Sequence, residues 1–324
     1  MLISRVKIDK FSIKIKYLSE YFIFYLMRLE KTKNSTTFAV ESYKNVKFMN
    51  KKLFLLVISC LYCFNANAQS YRESFINALN SKNMERAEEI LKAWDLANSN
   101  DPELYIGYFN FYTIKSQDAA LPITLSGYDQ KYSRQALDFI TQGINRFPTR
   151  FDMRVAKIHM LGVLMDYQAY VAEVLKIIAY SARIENNWKR EDFMILDRQE
   201  DMFFDAVLDW QVFLFSKKDP SLYKEIIRIS DEMLKYYPRH IQSILNISTV
   251  YKEQKEYDKS LEILLKAIVI EPANAIITYN IADVYFKKGD KSNARKYYEQ
   301  TIPLCKEDED NLKEAAEYRL EALR

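Results

Sequence analysis

Apolar residues recur every three or four positions along most of the chain after residue 69, which is the spacing of one face of an α-helix. Ile244, Ile247 and Tyr251 follow this spacing, and Ile281 and Tyr285 repeat it further along. The chain has only five Gly and seven Pro among 324 residues, too few for the frequent turns of a β-sandwich. The pattern therefore predicts an all-α protein built of paired helices.

The helical segments pair into six predicted hairpins followed by one tail helix. An insertion at 116–131 interrupts the spacing between the two helices of the second hairpin. The tail helix, 310–323, is rich in Glu, Lys and Arg, as expected of a terminal helix with one solvent-facing side. The first four hairpins are predicted at 70–79 with 84–97, 105–114 with 132–148, 150–165 with 167–184, and 192–215 with 220–236.

The last two hairpins repeat each other at an offset of 34 residues. Residues 246–251 and 280–285 are identical at four of six positions, and Pro238 and Pro272 are also 34 residues apart. A fixed period of about 20 to 50 residues is typical of a repeat architecture, in which successive units share one continuous core.

This period and the residues at its fixed positions resemble the tetratricopeptide repeat. Residues 241–274 carry Ile244, Ile247, Ser248, Tyr251, Ser260, Leu264, Ala267 and Pro272 at the characteristic positions, and residues 275–308 carry Thr278, Ile281, Ala282, Tyr285, Ala294, Tyr298 and Thr301. The second copy departs from the pattern with Lys306 in place of Pro, and with Pro303 inside its second helix, which should end that helix early.

The resemblance implies a right-handed α-α superhelix of tetratricopeptide-like hairpins over residues 69–324, with a capping helix at 310–323. The best-matched repeats are 207–240, 241–274 and 275–308. Small residues at the eighth and twentieth positions, such as Ala282 and Ala294, would let the two helices of a hairpin approach closely where they cross.

Residues 49–68 resemble a bacterial secretory signal peptide. Two lysines precede the 12-residue apolar run 53–64, and a small-x-small site ends at Ala68. Cleavage there would leave Gln69 as the first residue and place the protein in the periplasm or cell envelope. Twelve apolar residues are too few to span a bilayer, which takes about 20. Residues 1–48 are interpreted as upstream sequence before a true start at Met49; the alternative is a native cytosolic extension before an uncleaved anchor.

A second route of export starts from Cys60. Residues 57–60 resemble the lipobox of bacterial lipoproteins, in which the cysteine is acylated and becomes the mature N-terminus. This route would tether the protein to a membrane, the only membrane association expected. Cleavage after Ala68 is the preferred interpretation, and it would leave Cys305 as the one cysteine, with no internal disulfide.

The formal charge of +3 averages two unlike regions. Residues 1–68 carry 12 of the 47 basic and 4 of the 44 acidic side chains, so residues 69–324 carry 35 and 40, a net charge of −5. A mildly acidic body offers no reason to expect nucleic acid, because phosphate binding needs clustered Lys and Arg.

No recognised catalytic or metal-binding motif is present. His159 and His240 are the only histidines, and neither has Asp, Glu or Cys at the spacing of a metal site. The sequence also lacks a nucleophile elbow, a phosphate loop and a dinucleotide fingerprint. We therefore expect no enzyme activity, no cofactor and no metal. An unrecognised enzyme site near the insertion 116–131 is the third alternative for function.

In the tetratricopeptide family the first helix of each hairpin lines a concave groove, and certain positions commonly contact bound peptides. The resemblance places Asn110, Asn246 and Asn280 at one such position, where an amide can pair with a peptide backbone. The other predicted groove residues are Phe109, Leu245, Thr249, Lys252, Tyr279, Asp283 and Phe286. The alternative for the asparagines is that they satisfy local backbone groups.

Repeat architecture without a catalytic set favours an exported, non-enzymatic scaffold that binds peptide or protein segments in its groove. The second hypothesis is an envelope-anchored lipoprotein that binds glycans and assists their uptake. Lipid attachment at Cys60 would favour the second hypothesis, and a soluble protein beginning at Gln69 would favour the first.

Overall fold

Short turns join a series of helices that follow one another along the chain. The computed structural model describes residues 70–117, 127–189, 199–306 and 309–323, and of residues 199–201 only the backbone. Within these ranges there are thirteen α-helices and no β-strand. They are α1 (the helical residues 70–80), α2 (Met84–Asn98), α3 (Pro102–Ser116), α4 (Gln130–Arg146), α5 (Phe151–Val163), α6 (Tyr167–Arg183), α7 (Gln199–Ser216), α8 (Tyr223–Tyr236), α9 (Ile241–Glu253), α10 (Tyr257–Ile270), α11 (Ala275–Lys288), α12 (Lys291–Thr301) and α13 (Asp310–Glu321).

The predicted all-α architecture of six hairpins and a tail helix is confirmed. Neighbouring helices pack in chain order, and the first helices α9 and α11 also contact each other, as do α11 and α13. The predicted segments 1–48 and 49–68, which include Cys60 and Ala68, lie outside the described residues, as does Gln69.

N-caps set the starts of α3 and α4. Asp101 and Pro102 are the N-cap and first-turn proline that the sequence indicates ahead of the helix 105–114, and the Asp101 carboxylate accepts a hydrogen bond from the backbone N–H of Glu103. Helix α4 begins at Gln130 because the Asp129 carboxylate caps it through the backbone N–H of Tyr132. The segment between these helices is therefore 117–129, shorter than the predicted insertion.

Pro303 ends the second helix of the last repeat early, as predicted. Helix α12 stops at Thr301, and Ile302–Leu304 continue as one turn of 3₁₀-helix. Proline has no backbone N–H to donate and its ring obstructs the preceding turn of an α-helix. The chain then reaches α13, which packs on α12.

Five hairpins share one turn, in which a left-handed residue precedes the N-cap of the next helical segment. In four of them that segment is the second helix, and in the fourth hairpin it is a 3₁₀ turn, Pro220–Leu222, which leads into α8. Four of the left-handed residues are Lys82, Met165, Lys218 and Lys255, with φ between 53° and 62°, and the fifth is Gly289, with φ of 87°. The residues after them are Asn83, Asp166, Asp219, Glu256 and Asp290. All of these except Glu256 accept a backbone hydrogen bond with their side chains. The left-handed residue reverses the chain, and the polar residue starts the next helix.

The last two hairpins cross through small side chains. Ser248 and Ser260 are buried, their hydroxyl oxygens lie 2.7 Å apart, and the Ser260 hydroxyl also donates to the Ser248 carbonyl. Ala282 and Ala294 are fully buried in the core of the next hairpin. The predicted close approach at these positions is confirmed, because side chains this small let the two backbones pack closely.

The third and fourth hairpins are packed differently. Their shared core is built from large residues of α5 to α8, including Phe151, Tyr170 and Trp210, together with Trp188 from the segment after α6. The Tyr170 hydroxyl donates to the Trp210 carbonyl at 3.1 Å, and its ring stacks on Phe213 at 5.3 Å. Bulky aromatic rings therefore fill the space that small residues keep narrow in the last two repeats.

Candidate partner-binding surface

The predicted groove residues lie on three first helices, α3, α9 and α11. The structure places Leu245, Asn246, Thr249 and Lys252 on α9, and Tyr279, Asn280, Asp283 and Phe286 on the adjoining α11. It places Phe109 and Asn110 on α3, in the second hairpin. The structure therefore brings eight of the ten residues onto two helices that contact each other, and separates the α3 pair from them by several hairpins.

Asn246 is held inside a chain of amide hydrogen bonds. Its Nδ2 donates to Gln211 Oε1 at 2.8 Å, and its Oδ1 accepts from Gln242 Nε2 at 2.9 Å. Gln211 in turn donates to the Ser230 hydroxyl at 2.6 Å and to the Ile226 carbonyl at 3.1 Å. Since Asn246 is 7% exposed, its amide chiefly links the fourth hairpin to the fifth; contact with a partner stays a prediction.

Asn280 and Asn110 are half-buried. The Asn280 Nδ2 donates to the Ile276 carbonyl one turn earlier at 2.8 Å, which leaves its Oδ1 and its second N–H at the surface of α11. An amide carries two donor hydrogens and two acceptor lone pairs, so this one bond uses a quarter of its capacity. Asn280 therefore has more unused donors and acceptors for a peptide backbone than Asn246, whose amide makes two hydrogen bonds and is 7% exposed.

A group of charged side chains joins the first helices α9 and α11 to the tail helix α13. Lys252 of α9 and Asp283 of α11 form an ion pair with 2.8 Å between Nζ and Oδ2, and Arg319 of α13 lies 4.0 Å from the other Asp283 oxygen. The Arg319 guanidinium also sits over the Phe286 ring at 5.1 Å. Burial disfavours the charged form of Arg319, but the neighbouring Tyr279, Tyr298 and Asp283 outweigh it and the pKa of Arg319 is raised. Asp283 and Phe286 therefore both neighbour Arg319, and Lys252 joins the group through Asp283.

Two of the predicted residues pack in the core. Phe109 lies in a cluster with Tyr128 and Ile140, and Leu245 lies in one with Leu264 and other apolar residues of α9 to α11. Each side chain is less than a tenth exposed. The structure shows a packing role for both, and a contact with a partner stays a prediction.

The aromatic residues of α3 form a stacked group with α4. The Tyr108 and Phe139 rings are nearly parallel with centroids 4.1 Å apart, and Tyr112 stacks on Phe139 at 5.5 Å and on Tyr132 at 6.2 Å. Burial and the neighbouring Asp95 raise the pKa of Tyr108 to about 12. These rings pack one helix against the other.

Nothing in the described ranges is arranged as a metal site or a membrane span. No three His, Cys, Asp or Glu side chains of these residues are grouped to hold a metal ion. None of the described helices is both long and apolar enough to cross a bilayer. His240 is half-buried: its ring lies 4.7 Å from that of Phe204, and its Nδ1 is 2.8 Å from the Ser243 hydroxyl.

Three residues at this surface were missed from the sequence: Gln211, Gln242 and Arg319. Gln242 stands one helical turn before Asn246, so the i, i+4 spacing was available as a signal. Gln211 lies in the predicted repeat 207–240, 34 residues before Leu245, so the repeat period was available as a signal for it. Arg319 lies in the tail helix. Their contacts depend on how neighbouring hairpins stack, and no local spacing encodes that.

Two family models match the chain where the small-residue crossings lie. One, described as a TPR repeat, matches residues 249–289, and another, described as a tetratricopeptide repeat, matches residues 277–302. Residues 249–302 therefore carry tetratricopeptide repeats. The matched segments contain the turn at Gly289 and most of the predicted groove residues of α11. No curated protein matches the chain in sequence.

Solved tetratricopeptide-repeat structures are similar to this chain at low identity. YrrB, described as a TPR protein with an unusual peptide-binding site, is 13% identical over 70% of this chain and 97% of its own, with a TM-score of 0.38. A C-terminal part of a TPR repeat-containing protein from Cytophaga hutchinsonii is 12% identical over 72% and 79%, with a TM-score of 0.40. A tetratricopeptide repeat protein from Parabacteroides merdae is 15% identical over 79% and 93%, with a TM-score of 0.34.

Proposed function

We propose that this protein is a non-enzymatic scaffold that binds a peptide or protein segment along the first helices of its last two repeats. Tetratricopeptide repeats are generally interaction modules. The observation that supports this site is the row of half-buried polar and aromatic side chains on α9 and α11, comprising Thr249, Lys252, Tyr279, Asn280 and Phe286.

The chemistry of this row fits an extended backbone with an apolar or acidic side chain. Asn280 offers an amide donor and acceptor, and Thr249 offers a hydroxyl. Phe286 and Tyr279 offer aromatic faces beside Arg319, whose side chain is 34% exposed. The partner is a protein or a peptide. The proposal includes no nucleic acid, since residues 69–324 are net acidic.

The proposed place of action is the periplasm or the cell envelope, after export through the segment 49–68. The basic start, short apolar run and Ala-x-Ala ending of that segment support this proposal. N-terminal sequencing of the native protein tests it. Gln69 as the first residue supports a released protein, and an acylated Cys60 supports a lipid-anchored one. A native chain that contains residues 1–48 would contradict both.

The binding site is tested with Thr249→Ala combined with Asn280→Ala. Both side chains are half-buried, so truncation should remove surface contacts and leave the helices folded, as a melt would check. We expect the double variant to capture less partner from native extracts. Asn246 is excluded from the test because its loss would remove the donor to the buried Gln211 Oε1.

The matched control changes two exposed residues of α10, a second helix. Leu265→Ala with Val269→Ala alters side chains that are 39% and 78% exposed, on the helix face away from the proposed row. We expect capture by this variant to equal that of the native protein. Equal capture by the α9–α11 variant would reject the site, and the repeat architecture would stand.

A further inference from the structure

One face of the third hairpin holds four cationic side chains around a single carboxylate. The hairpin consists of α5 and α6, which lie outside the segments matched by the repeat models. On α6 the residues 173, 176, 180 and 183 are spaced three or four apart and therefore share one helix face. The cationic cluster consists of Arg154, Lys157, Lys176 and Arg183.

Glu173 is the carboxylate at the centre of the cationic cluster. Its Oε2 lies 2.9 Å from Lys157 Nζ and 3.9 Å from Lys176 Nζ, and its Oε1 lies 3.9 Å from the nearer Nη of Arg154. The Glu173 side chain is 6% exposed, and those of Arg154 and Lys157 are 8% and 16% exposed. Two cations are therefore recessed beside one buried anion.

An aromatic ring, that of Tyr180, contacts the two arginines of the cationic cluster. The guanidinium carbons of Arg154 and Arg183 lie 4.5 Å and 4.6 Å from the centre of the Tyr180 ring. Arg154 also donates from Nε and Nη2 to the Pro148 carbonyl at 3.2 Å and 3.1 Å. Burial lowers the pKa of Arg154, and the nearby charge of Arg183 lowers it further.

The charge balance of this face is unusual within the chain. Among the described residues, Glu173 is the one carboxylate that forms ion pairs with the cationic cluster, and it pairs with Arg154, Lys157 and Lys176. Arg183 contacts the Tyr180 ring instead, so the four cations face one carboxylate, a local excess of three positive charges. On α8, by comparison, Arg228 and Lys235 each pair with their own glutamate, Glu225 and Glu232. Like charges held this close repel each other, and an added anion would relieve that repulsion.

We infer that the α5–α6 face binds an acidic segment of a protein partner, with carboxylates of that segment meeting Lys157, Lys176 and Arg183. Charge complementarity selects an anion. The burial of Lys157 favours a flexible anion, because one side chain of an extended peptide can reach a lysine side chain that is only 16% exposed. A flat anionic bilayer or a stiff duplex would reach the exposed Lys176 and Arg183 but not Lys157, whose side chain is 16% exposed.

This inference rests on the proposed function in one respect, namely that the partner is a protein. It uses a different hairpin from the row on α9 and α11. The two sites can therefore fail separately: a partner captured through α9 and α11 without any acidic-peptide binding would leave the proposed function standing and this inference rejected.

The test uses Lys176→Gln combined with Arg183→Gln in the chain that begins at Gln69. Both side chains are exposed, so the variant should keep its fold. The probe is a fluorescein-labelled peptide of alternating Glu and Gly, and binding is followed by fluorescence anisotropy. We expect the native protein to bind it and the variant to bind about fivefold more weakly, since each rim charge contributes modestly to affinity. Added salt should weaken native binding.

The matched control is Arg228→Gln combined with Lys235→Gln, which removes the same two residue types at the same seven-residue spacing. We expect its affinity for the peptide to equal that of the native protein. A peptide with Gln in place of Glu should not bind. Two further probes are measured with the native protein: vesicles that contain phosphatidylglycerol, and, separately, a single-stranded DNA oligonucleotide.

Three results would overturn the inference. The first is no binding of the acidic peptide. The second is binding that both double variants weaken equally, which would indicate a general effect of net charge. The third is binding of the vesicles or the oligonucleotide more tightly than the peptide, which would assign the face to another kind of partner.

Discussion

The third hairpin and the last two hairpins share one turn and differ in the side chains at the helix crossing. In the last two, the crossing residues are Ser248 with Ser260 and Ala282 with Ala294, twelve positions apart. At the same distance before and after its turn, the third hairpin has Ile158 and Tyr170, and both are buried. All three hairpins turn through a left-handed residue seven positions after the first crossing residue. The turn therefore persists where the small-residue crossing does not.

The two regions also differ in how they hold buried charge. In the last two hairpins Asp283 is 7% exposed and pairs with Lys252 across adjacent repeats, so the ion pair joins one hairpin to the next. In the third, Glu173 and its cations lie within one hairpin and stay unbalanced. Buried charge therefore links neighbouring hairpins in the C-terminal repeats. In the third hairpin it lies between the two helices of one hairpin.

The largest effect is expected from Glu173→Gln in the third hairpin. The change leaves Arg154 and Lys157 buried without their anion, which should lower the free energy of unfolding by about 3 kcal/mol. Urea unfolding of the variant measures this. Glu262→Gln, at an exposed pair with Lys266, is the control and should change stability by less than about 0.5 kcal/mol. Equal small losses in both would show that the cluster needs no anion.

Ala282→Leu should sharpen the comparison from the other side. Ala282 is fully buried at a crossing of small residues, so the larger side chain should force the helices apart and cost about 1–3 kcal/mol. The same measurement on Ala97→Leu, at an exposed position near the end of α2, should show little change. A melt of the Ala282 variant without any loss would contradict the crossing described here.

The shared turn predicts a smaller effect with opposite signs in two repeats. Lys255 has a φ of 62°, which costs a residue with a side chain more than it costs glycine. Lys255→Gly should therefore stabilise the protein by about 0.5 kcal/mol, and Gly289→Ala should destabilise it by about 1 kcal/mol. No atom lies within 4 Å of a Cβ placed at Gly289, so a loss there reports backbone strain alone. Changes of the same sign in both variants would contradict a common turn.

The smallest effect concerns His240, which lies between the two regions, beside Phe204 and Ser243. Burial lowers the pKa of His240 in the folded protein. As the pH falls through about 6.5, the unfolded chain takes up a proton more readily than the folded one, so stability should fall. Comparing urea midpoints from pH 7 to pH 5, His240→Gln should lose less stability than the native protein. Identical profiles would exclude His240 as a contributor.

Much of the fold followed from local pattern. The 34-residue offset and the small residues at the crossings predicted the last two hairpins, and the contact between Ser248 and Ser260 confirms the assigned positions. The early end of α12 followed from Pro303 alone. These features depend on residues close together in the chain, where spacing is informative.

The candidate sites were harder to predict because their contacts join distant hairpins. The amide contact that holds Asn246 is made by Gln211, 35 residues earlier and in the preceding hairpin. The α6 spacing of Glu173, Lys176 and Arg183 is visible in the sequence. Their encounter with Arg154 and Lys157 depends on how α5 packs on α6, which large, irregular side chains determine.

The most direct test of the central claim is site-specific photo-crosslinking in native extracts. A photo-reactive amino acid is placed at Asn280, on the first helix α11, or at Val269, on the second helix α10. The account predicts a discrete crosslinked partner from position 280 and none from position 269. Crosslinks from position 269 alone would contradict the proposal that this protein binds its partners along the first helices.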